Sequence, residues 1–355
     1  MKKINFNAGP CILPEEVFKE ASKSVIEYKK NNLSILEMSH RSNEFVQVVE
    51  ETKRLTKNIL KISDEYEILF LQGGASMQFH MIPLNFLNKS GKAYYLDTGT
   101  WSSKAIKESE KIGNTITLAS SKNEKYKEIP KNYDIPNEAS YFHCTSNNTI
   151  YGTQIKKFPE KNTKIFCDMS SDIFSRKIDV ENFDLIYAGA QKNIGPAGMT
   201  LVIIKKSILK DQNSNIATIL DYNTHIKKES MFNTPPVFSI YVSMLNLKWL
   251  DENGGIDWIE DLNNKKANIL YDEIDRNSVF SGIAKKEDRS NMNITFSIKN
   301  DQMSKIFDKL CLENNIHGIK GHRSVGGYRA SLYNAMSIDK VKILTSVMKK
   351  TENNG

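Results

Sequence analysis

The segment YAGAQKNIGPAGMT (187–200) carries the densest set of chemically suggestive residues in this 355-residue sequence. Lys192 stands there among Gly189, Gly195, Gly198, Ala188, Ala190 and Ala197, between two apolar runs. A lysine is ordinarily a solvated surface charge. Small residues on both sides instead leave room for a bulky group to approach the backbone. An amine partly withdrawn from water loses proton affinity and becomes a nucleophile toward carbonyl carbon. Asp168 ends the apolar run KIFCD and precedes Met169-Ser170-Ser171, a position that suits a turn or helix cap as well as a buried acid. Gly73-Gly74-Ala75-Ser76 follows EILFLQ and leads into a helix-like stretch, where backbone N–H groups and the helix dipole can hold a phosphate. A plain tight turn would use the same residues, and they match neither the dinucleotide fingerprint nor the P-loop spacing.

A phosphate-cradling turn, a strand-end Asp and a Lys in a small-residue loop are three parts that pyridoxal 5′-phosphate requires. The Asp would pair with the ring nitrogen and the Lys would carry the aldehyde. Trp101, after LDTGT, either stacks on such a ring or packs in a core. Arg41 in MSHRSNEF, Arg323 in KGHRSVGG and Arg329 in GGYRASLYNAM sit beside Gly, Ser or His, and Arg suits two-pronged recognition of carboxylate and phosphate. His40 and His322 each precede an Arg, a repeated pair that could serve a phosphate, although each Arg singly also suits a surface or capping position. Arg329 starts an apolar strand-like run and would be costly to bury unpaired.

The elements that must position these residues follow from periodicity. Pro14 opens a helix-like stretch with acidic residues first and lysines last, and a second helical pattern follows from Asn43. Short apolar runs then appear at 67–72, 92–97, 115–119, 140–145, 164–168, 184–189 and 200–206, separated by helices or loops. That alternation predicts an α/β domain whose mostly parallel, mixed sheet is flanked by helices on both faces. From about residue 240 long amphipathic helices take over, the first stopping at Gly254-Gly255. The tail alternates strand and helix and reads as a smaller α+β domain. The expected division is a cofactor domain over 16–255 and a small domain over 256–355, with arm 1–15 packing near the latter. The Lys- and Asn-rich stretch 121–140 reads as a solvated connection, or as a functional loop.

Composition sets the outer limits. Hydrophobic residues at 39% and charged residues at 26% allow a sizeable core and exclude wholesale disorder. Lys+Arg 49 against Asp+Glu 42 leaves +7, spread along the chain; small anionic partners suit it better than nucleic acid. No apolar run approaches the ~20 residues of a membrane helix, and the N-terminus has no signal-type apolar region. Four scattered cysteines without CxxC argue against a disulfide framework or a metal site and fit a reducing cytoplasm.

Taken together, NFNAGPCILPEEV, MSHRSNEF, FLQGGASMQF, DMSSDIFSR, IYAGAQKNIGPAGMT, MFNTPPVFSIY, KWLDENGG and GHRSVGGYRASLYNAM resemble, nearly end to end, the phosphoserine aminotransferase family of class-V pyridoxal-phosphate enzymes. The resemblance implies the aspartate-aminotransferase-like fold type I. It makes Lys192 the Schiff-base lysine and Asp168 the partner of the ring nitrogen. Trp101 would stack on the ring and Thr149 would bond its phenolic oxygen. The phosphate would fall to Ala75, Ser76 and Gln191, with Asn233 and Thr234 reaching in from a second subunit of an obligate homodimer. Arg41, His40, His322, Arg323 and Arg329 would hold the substrate anions. Ser76 departs from members with Arg there, which shifts substrate-phosphate recognition toward the His-Arg pairs; Tyr151 is also unusual and receives no role. The implied reaction converts 3-phosphohydroxypyruvate and glutamate to O-phosphoserine and 2-oxoglutarate in serine biosynthesis, with 4-phosphohydroxy-L-threonine of pyridoxine biosynthesis as a further substrate. Two other readings stay open. A cysteine desulfurase of the same fold would need a nucleophilic thiol, for which Cys11 is the candidate, and a non-catalytic nucleotide- or nucleic-acid-binding protein would leave Lys192 and Asp168 incidental.

Overall fold

Apolar runs bounded by Gly, Asn and Ser are too short to bury as helices, and they pair as strands instead. In the computed structural model, which describes residues 2–30 and 32–354, the chain begins with β1 (Ile4–Asn5), α1 (Glu15–Ile26), α2 (Asn43–Leu60), β2 (Tyr66–Leu71), α3 (Gly74–Phe86), β3 (Ala93–Asp97) and α4 (Thr100–Glu110). It continues with β4 (Thr115–Ser120), β5 (Tyr141–Thr145), β6 (Asn147–Asn148), β7 (Thr153–Gln154), β8 (Ile165–Asp168), β9 (Leu185–Gly189) and β10 (Thr200–Lys205). Next come α5 (Tyr222–Lys227), α6 (Val237–Glu252), α7 (Gly255–Arg276), β11 (Phe280–Gly282) and β12 (Asn293–Ile298). The chain closes with α8 (Asp301–Glu313), β13 (Ile316–His317), β14 (Tyr328–Ser331) and α9 (Ile338–Asn353).

All seven apolar runs become strands of one sheet, in the order β2-β10-β9-β8-β5-β3-β4. β10 is antiparallel to both neighbours and the other pairs are parallel. Side chains alternate across this sheet, as the pleat requires. Ile68, Phe70, Leu201, Ile203, Ile186 and Ala188 meet α1, α2 and α6 on one face. Leu69, Leu71, Val202, Tyr187 and Tyr95 meet α3, α4 and α5 on the other. A second core lies around the antiparallel sheet β11-β12-β14, where Ala267, Leu270 and Ile274 of α7 pack with Phe307, Val341 and Leu344. The N-terminal arm joins this second core: Ile4 and Phe6 are buried in it, and β1 pairs in parallel with β13.

Two local expectations change. The first helix stops at Ile26, with Lys23 in its last turn and Lys29 and Lys30 beyond it, because Tyr28 N–H donates to Leu33 O (2.8 Å) and turns the chain so that Tyr28 enters the core. The stretch 121–140 is not simply solvated. Its polar residues hide isolated apolar ones, and Tyr126, Ile129, Ile135 and Ala139 are all buried.

Buried amides tie the β6–β7 hairpin, which follows β5 of the large sheet, to the small antiparallel sheet. Asn147 Nδ2 donates to Asn293 Oδ1 (2.8 Å), and Asn293 Nδ2 donates to Ser331 Oγ (3.0 Å) and the Tyr333 hydroxyl (3.1 Å). Tyr333 in turn donates to Ala8 O of the arm (2.7 Å). Truncating Asn293 leaves at least one buried partner unsatisfied, so Asn293→Ala should lower stability by about 2–3 kcal/mol. Denaturant unfolding measures this, and a loss under about 0.5 kcal/mol, the range of ordinary surface substitutions, would show that the amide does not hold this junction.

Candidate active site

The parallel strands β2, β3, β5, β8 and β9 deliver their carboxyl ends to one edge of the sheet, and each ends on a residue of interest: Gln72-Gly73, Asp97, Thr145, Asp168 and Gly189. The loop after β9 is held on both sides. Asn246 Nδ2 of α6 donates to Asn193 O (2.8 Å) and Ile194 O (2.9 Å), and Asn334 N–H donates to Asn193 Oδ1 (3.1 Å). Gly195 permits this close approach, since a Cβ there would lie 2.3 Å from Ser243 Oγ. Lys192 is thereby fixed, with its Nζ donating to Thr149 Oγ1 at 2.7 Å. Removal from water pushes its amine down to about 8; the Asp168 carboxylate opposes that shift and the Arg329 guanidinium adds to it.

Asp168 ends β8 opposite Thr145 of β5 and Tyr187 of β9. It is buried, its Oδ1 accepts from Ser170 N–H (2.9 Å), and burial raises its carboxyl pKa against the opposing pull of Ser170 and Lys192. The turn between β6 and β7 serves two residues at once. Thr149 accepts the Lys192 amine on its hydroxyl, and its backbone oxygen accepts Arg329 Nη1 at 3.2 Å. Arg329 is 9% exposed, burial lowers its pKa, and its Nε has no partner among the described residues. Trp101 lies in the first turn of α4 with its buried Nε1 unpartnered among the described residues and Lys104 Nζ 4.7 Å from its ring centroid. Ala75 and Ser76 lie in the first turn of α3, whose N-cap Gly73 (φ 88°) supplies no side-chain cap, so the turn keeps N–H donors for an anion. The Gln191 side chain folds against Gly189, where a Cβ would lie 2.8 Å from its Oε1.

The His322-Arg323 pair is exposed on the loop before β14, with His322 Nδ1 and Ser324 Oγ 2.7 Å apart. Partial burial, followed by the positive charges of Arg329, Arg323 and Lys104, pushes the His322 imidazole pKa down, which places this loop beside the same cationic basin. Other expected residues are not gathered by one chain. Arg41 is exposed on the turn before α2, and His40 keeps a buried Nε2 there with no partner among the described residues. Asn233 and Thr234 are exposed, the backbone oxygen of Thr234 accepting from Gln72 Nε2 beside the glycine turn.

Sequence reasoning passed over the support beneath these groups. The buried Asp172 accepts from Arg176 Nη2 (3.0 Å), Gln154 Nε2 (3.1 Å) and Ser146 Oγ. The four-residue Asp172–Arg176 spacing inside DMSSDIFSR was a usable signal for it. Cys11, the thiol that a desulfurase would need, donates to Lys192 O instead, and burial pushes it up to about 12. A thiol so held has little thiolate character, which counts against that chemistry.

Pyridoxal 5′-phosphate fits this donor set. Lys192 suits its carbonyl, the buried Asp168 suits a cationic ring nitrogen, and the α3 N-terminus suits its phosphate. Three residues joined to this site keep a buried polar atom without a partner among the described residues: Thr145 Oγ1, paired across the sheet with Asp168, Arg329 Nε, whose Nη1 lies on Thr149 O, and Trp101 Nε1 in the first turn of α4.

Comparison with known proteins gives a consistent result. The family model "Aminotransferase class-V" matches residues 4–344. The chain is 57% identical over 354 residues to the phosphoserine aminotransferase of Flavobacterium psychrophilum, covering 99% of each chain. It is similar to the solved phosphoserine aminotransferase of Bacillus circulans subsp. alkalophilus (TM-score 0.97, 42% identity, 99% of each chain). It is also similar to PLP-bound phosphoserine aminotransferase from Trichomonas vaginalis (TM-score 0.91, 34% identity, 98% of this chain and 100% of that one).

Burial of Lys192 yields a pH prediction. Acylation of Lys192 in cofactor-stripped protein, followed by peptide mass spectrometry across a pH series, should be half-maximal near pH 8. Asp168→Asn should move that midpoint lower, because the carboxylate favours the ammonium. A midpoint near the ordinary 10.5 would contradict the burial argument. The linkage has a definite sign: between these two pH values the unfolded chain binds more protons at Lys192, so the cost of the buried ammonium, full below about pH 8, is relieved as pH rises.

Proposed function

The chain belongs to the class-V aminotransferase family, and from that premise we propose that it moves an amino group between glutamate and 3-phosphohydroxypyruvate, giving 2-oxoglutarate and O-phospho-L-serine. It is an aminotransferase that acts on phosphoserine and uses pyridoxal 5′-phosphate, a reaction of serine biosynthesis. The observation that carries the mechanism is the Lys192–Thr149–Arg329 cluster beside Asp168. Glutamate and 2-oxoglutarate as the second pair is our reading of the cationic basin, because these dicarboxylates present two anionic ends, as phosphoserine does.

The bound cofactor supplies a carbonyl carbon that takes up the amino group and a protonated ring that spreads carbanion charge. Lys192 Nζ would take the α-proton of the amino-acid substrate and deliver it to the carbon that receives the amino group, and in the opposite half-reaction it would carry that proton back to the α-carbon of the incoming oxo acid. Its depressed proton affinity keeps a useful fraction unprotonated near neutral pH. Thr149 Oγ1 orients that amine, and Asp168 holds a proton on the ring nitrogen. Arg329, with one nitrogen on Thr149 O and its Nε unpartnered, clamps the substrate carboxylate within reach of Lys192. His322 and Arg323 at the mouth, with Arg41 and His40, take the phosphate or distal carboxylate. Ser76 is small and exposed at the start of α3, which leaves space for a longer phosphorylated amino acid. We therefore extend the reading to 4-phosphohydroxy-L-threonine. A coupled assay of the two phosphorylated amino acids, with 2-oxoglutarate as common acceptor, compares them directly.

We also assign the active form as a homodimer. Both expected site segments left outside the Lys192 cluster carry an exposed apolar neighbour, Leu36 before His40-Arg41 and Phe232 before Asn233-Thr234, and Met77 is exposed beside Ser76. An isologous contact over these segments would cover them and bring the polar residues to the partner's cleft. The four unbridged cysteines support a reducing, cytoplasmic setting.

Lys192→Ala should reduce turnover by about four orders of magnitude or more, and borohydride should no longer fix the cofactor to the chain. A variant with ordinary activity would refute the assignment. Arg329→Lys replaces a fork with a point charge and should raise KM for both glutamate and phosphoserine about tenfold or more. Unchanged constants for both substrates would remove Arg329 from carboxylate binding.

A further inference from the structure

The lysine- and asparagine-rich stretch 121–140 sends one aromatic residue beneath the helix that carries Trp101. The Tyr126 hydroxyl donates to Asp97 Oδ2 (3.1 Å), which also accepts from Ser120 Oγ (2.7 Å). The other oxygen, Asp97 Oδ1, accepts from Ser103 Oγ (2.7 Å) and Ser102 Oγ (3.2 Å) of the first turn of α4. Ser102 Oγ in turn accepts the Thr98 and Gly99 N–H groups at 2.9 and 3.0 Å. One buried carboxylate therefore fixes the start of α4 against the loop.

Tyr151 closes the arrangement from the opposite side. Its ring packs on Tyr126 with centroids 4.8 Å apart, and its hydroxyl lies 3.2 Å from Thr100 Oγ1, the residue before Trp101. A Cβ at Gly99 would lie 3.0 Å from the Tyr151 ring, a tight contact that glycine spares. The backbone that delivers Tyr126 is itself unusual. Lys125 (φ 55°) and Tyr126 (φ 57°) both occupy the left-handed region, which bulky L-residues avoid. Such strain persists only where surrounding bonds over-determine it, and it concentrates at functional places. Here Lys125 N–H donates to Lys122 O (2.9 Å) and Tyr126 N–H to Ser121 O (2.8 Å). Further along, Lys127 O accepts from Lys285 N–H (2.8 Å), and Ile129 N–H donates to Asp288 Oδ2 (2.9 Å), which anchors the loop to the segment before β12.

We propose that Tyr126 and Tyr151 are positioning residues for Trp101: acting through Asp97 and Thr100, they set the first turn of α4 and hence the plane of the indole that meets the cofactor ring. The inference rests on the pyridoxal-phosphate reading of the site. It assigns a purpose to a strained, two-sided anchorage that the core does not need, since the loop's other buried apolar residues already pack it.

The test is a double-mutant cycle read by cofactor binding and spectroscopy. Wild type, Tyr126→Phe, Trp101→Phe and the double variant are stripped of cofactor and titrated with pyridoxal 5′-phosphate. Affinity is measured together with the visible circular dichroism of the bound cofactor, and thermal melts of the stripped proteins control for general damage. Tyr126→Phe should weaken cofactor binding about fivefold and diminish the dichroic band while leaving the stripped protein's melt nearly unchanged. In the Trp101→Phe background the same substitution should have no further effect. Equal losses in both backgrounds, or no loss in either, would overturn the proposal. If Tyr126→Phe yields no folded protein, Tyr151→Phe, which loses only the contact to Thr100, takes its place in the cycle, with the same losses expected and the same results overturning the proposal. A wild type that binds no cofactor would overturn the site reading itself, whereas normal wild-type binding with additive variants overturns this inference alone.

Discussion

An ammonium group has been taken out of water at Lys192, and much of the surrounding architecture follows from that. Desolvation disfavours the charged form, so the amine needs either an acceptor or a nearby negative charge to be held in place. Thr149 Oγ1 supplies the first and Asp168 the second. Both are themselves constrained. Asp168 is buried and resists ionisation. Thr149 must be presented by a turn whose backbone oxygen is already committed to Arg329. Lysine, acid and arginine thus share one small volume of low polarisability, where each alters the proton affinity of the next.

That mutual dependence explains why the site is built across two sheets. The acid and the lysine come from the ends of adjacent parallel strands, whose spacing is fixed by backbone pairing. The arginine comes from β14 of the small antiparallel sheet, and buried amides at Asn147 and Asn293 fasten that sheet to the β6–β7 hairpin that follows β5. A site held by a single sheet could not bring three ionisable groups together from separate directions. Outside it, the charges of Arg323 and Lys104 lie near the exposed His322, on a more open surface.

Much of this was legible in the residues. Seven short apolar runs predicted seven strands of one mostly parallel sheet, because buried strands read as continuous apolar segments. Lys192 stood out through its small neighbours and Asp168 through its place at a strand end. Other features were hidden. Tyr126 is one aromatic in a polar stretch, and nothing in its neighbours announces that the backbone turns left-handed to bury it. Tyr151 had no assignable role, because its partners Thr100 and Gly99 lie about fifty positions away in sequence. Asp172 was readable as half of a helical-spacing pair with Arg176, but not as the acceptor of Ser146 and Gln154.

Sequence alone determined the chemistry available to this protein. Residue types and local spacing set intrinsic proton affinities, strand and helix periods, and the glycine-rich turn at the start of α3. Tertiary structure decided what those groups become, because burial and long-range neighbours are not properties of a local segment. Lys192 shifts to about 8 only when β8, β9 and the β6–β7 turn close around it. Arg329 becomes a partner of that lysine's acceptor only when a strand from the end of the chain packs beside residue 149. Desolvation acts on a group through everything within a few ångströms of it, and the order of residues along the chain does not state that set.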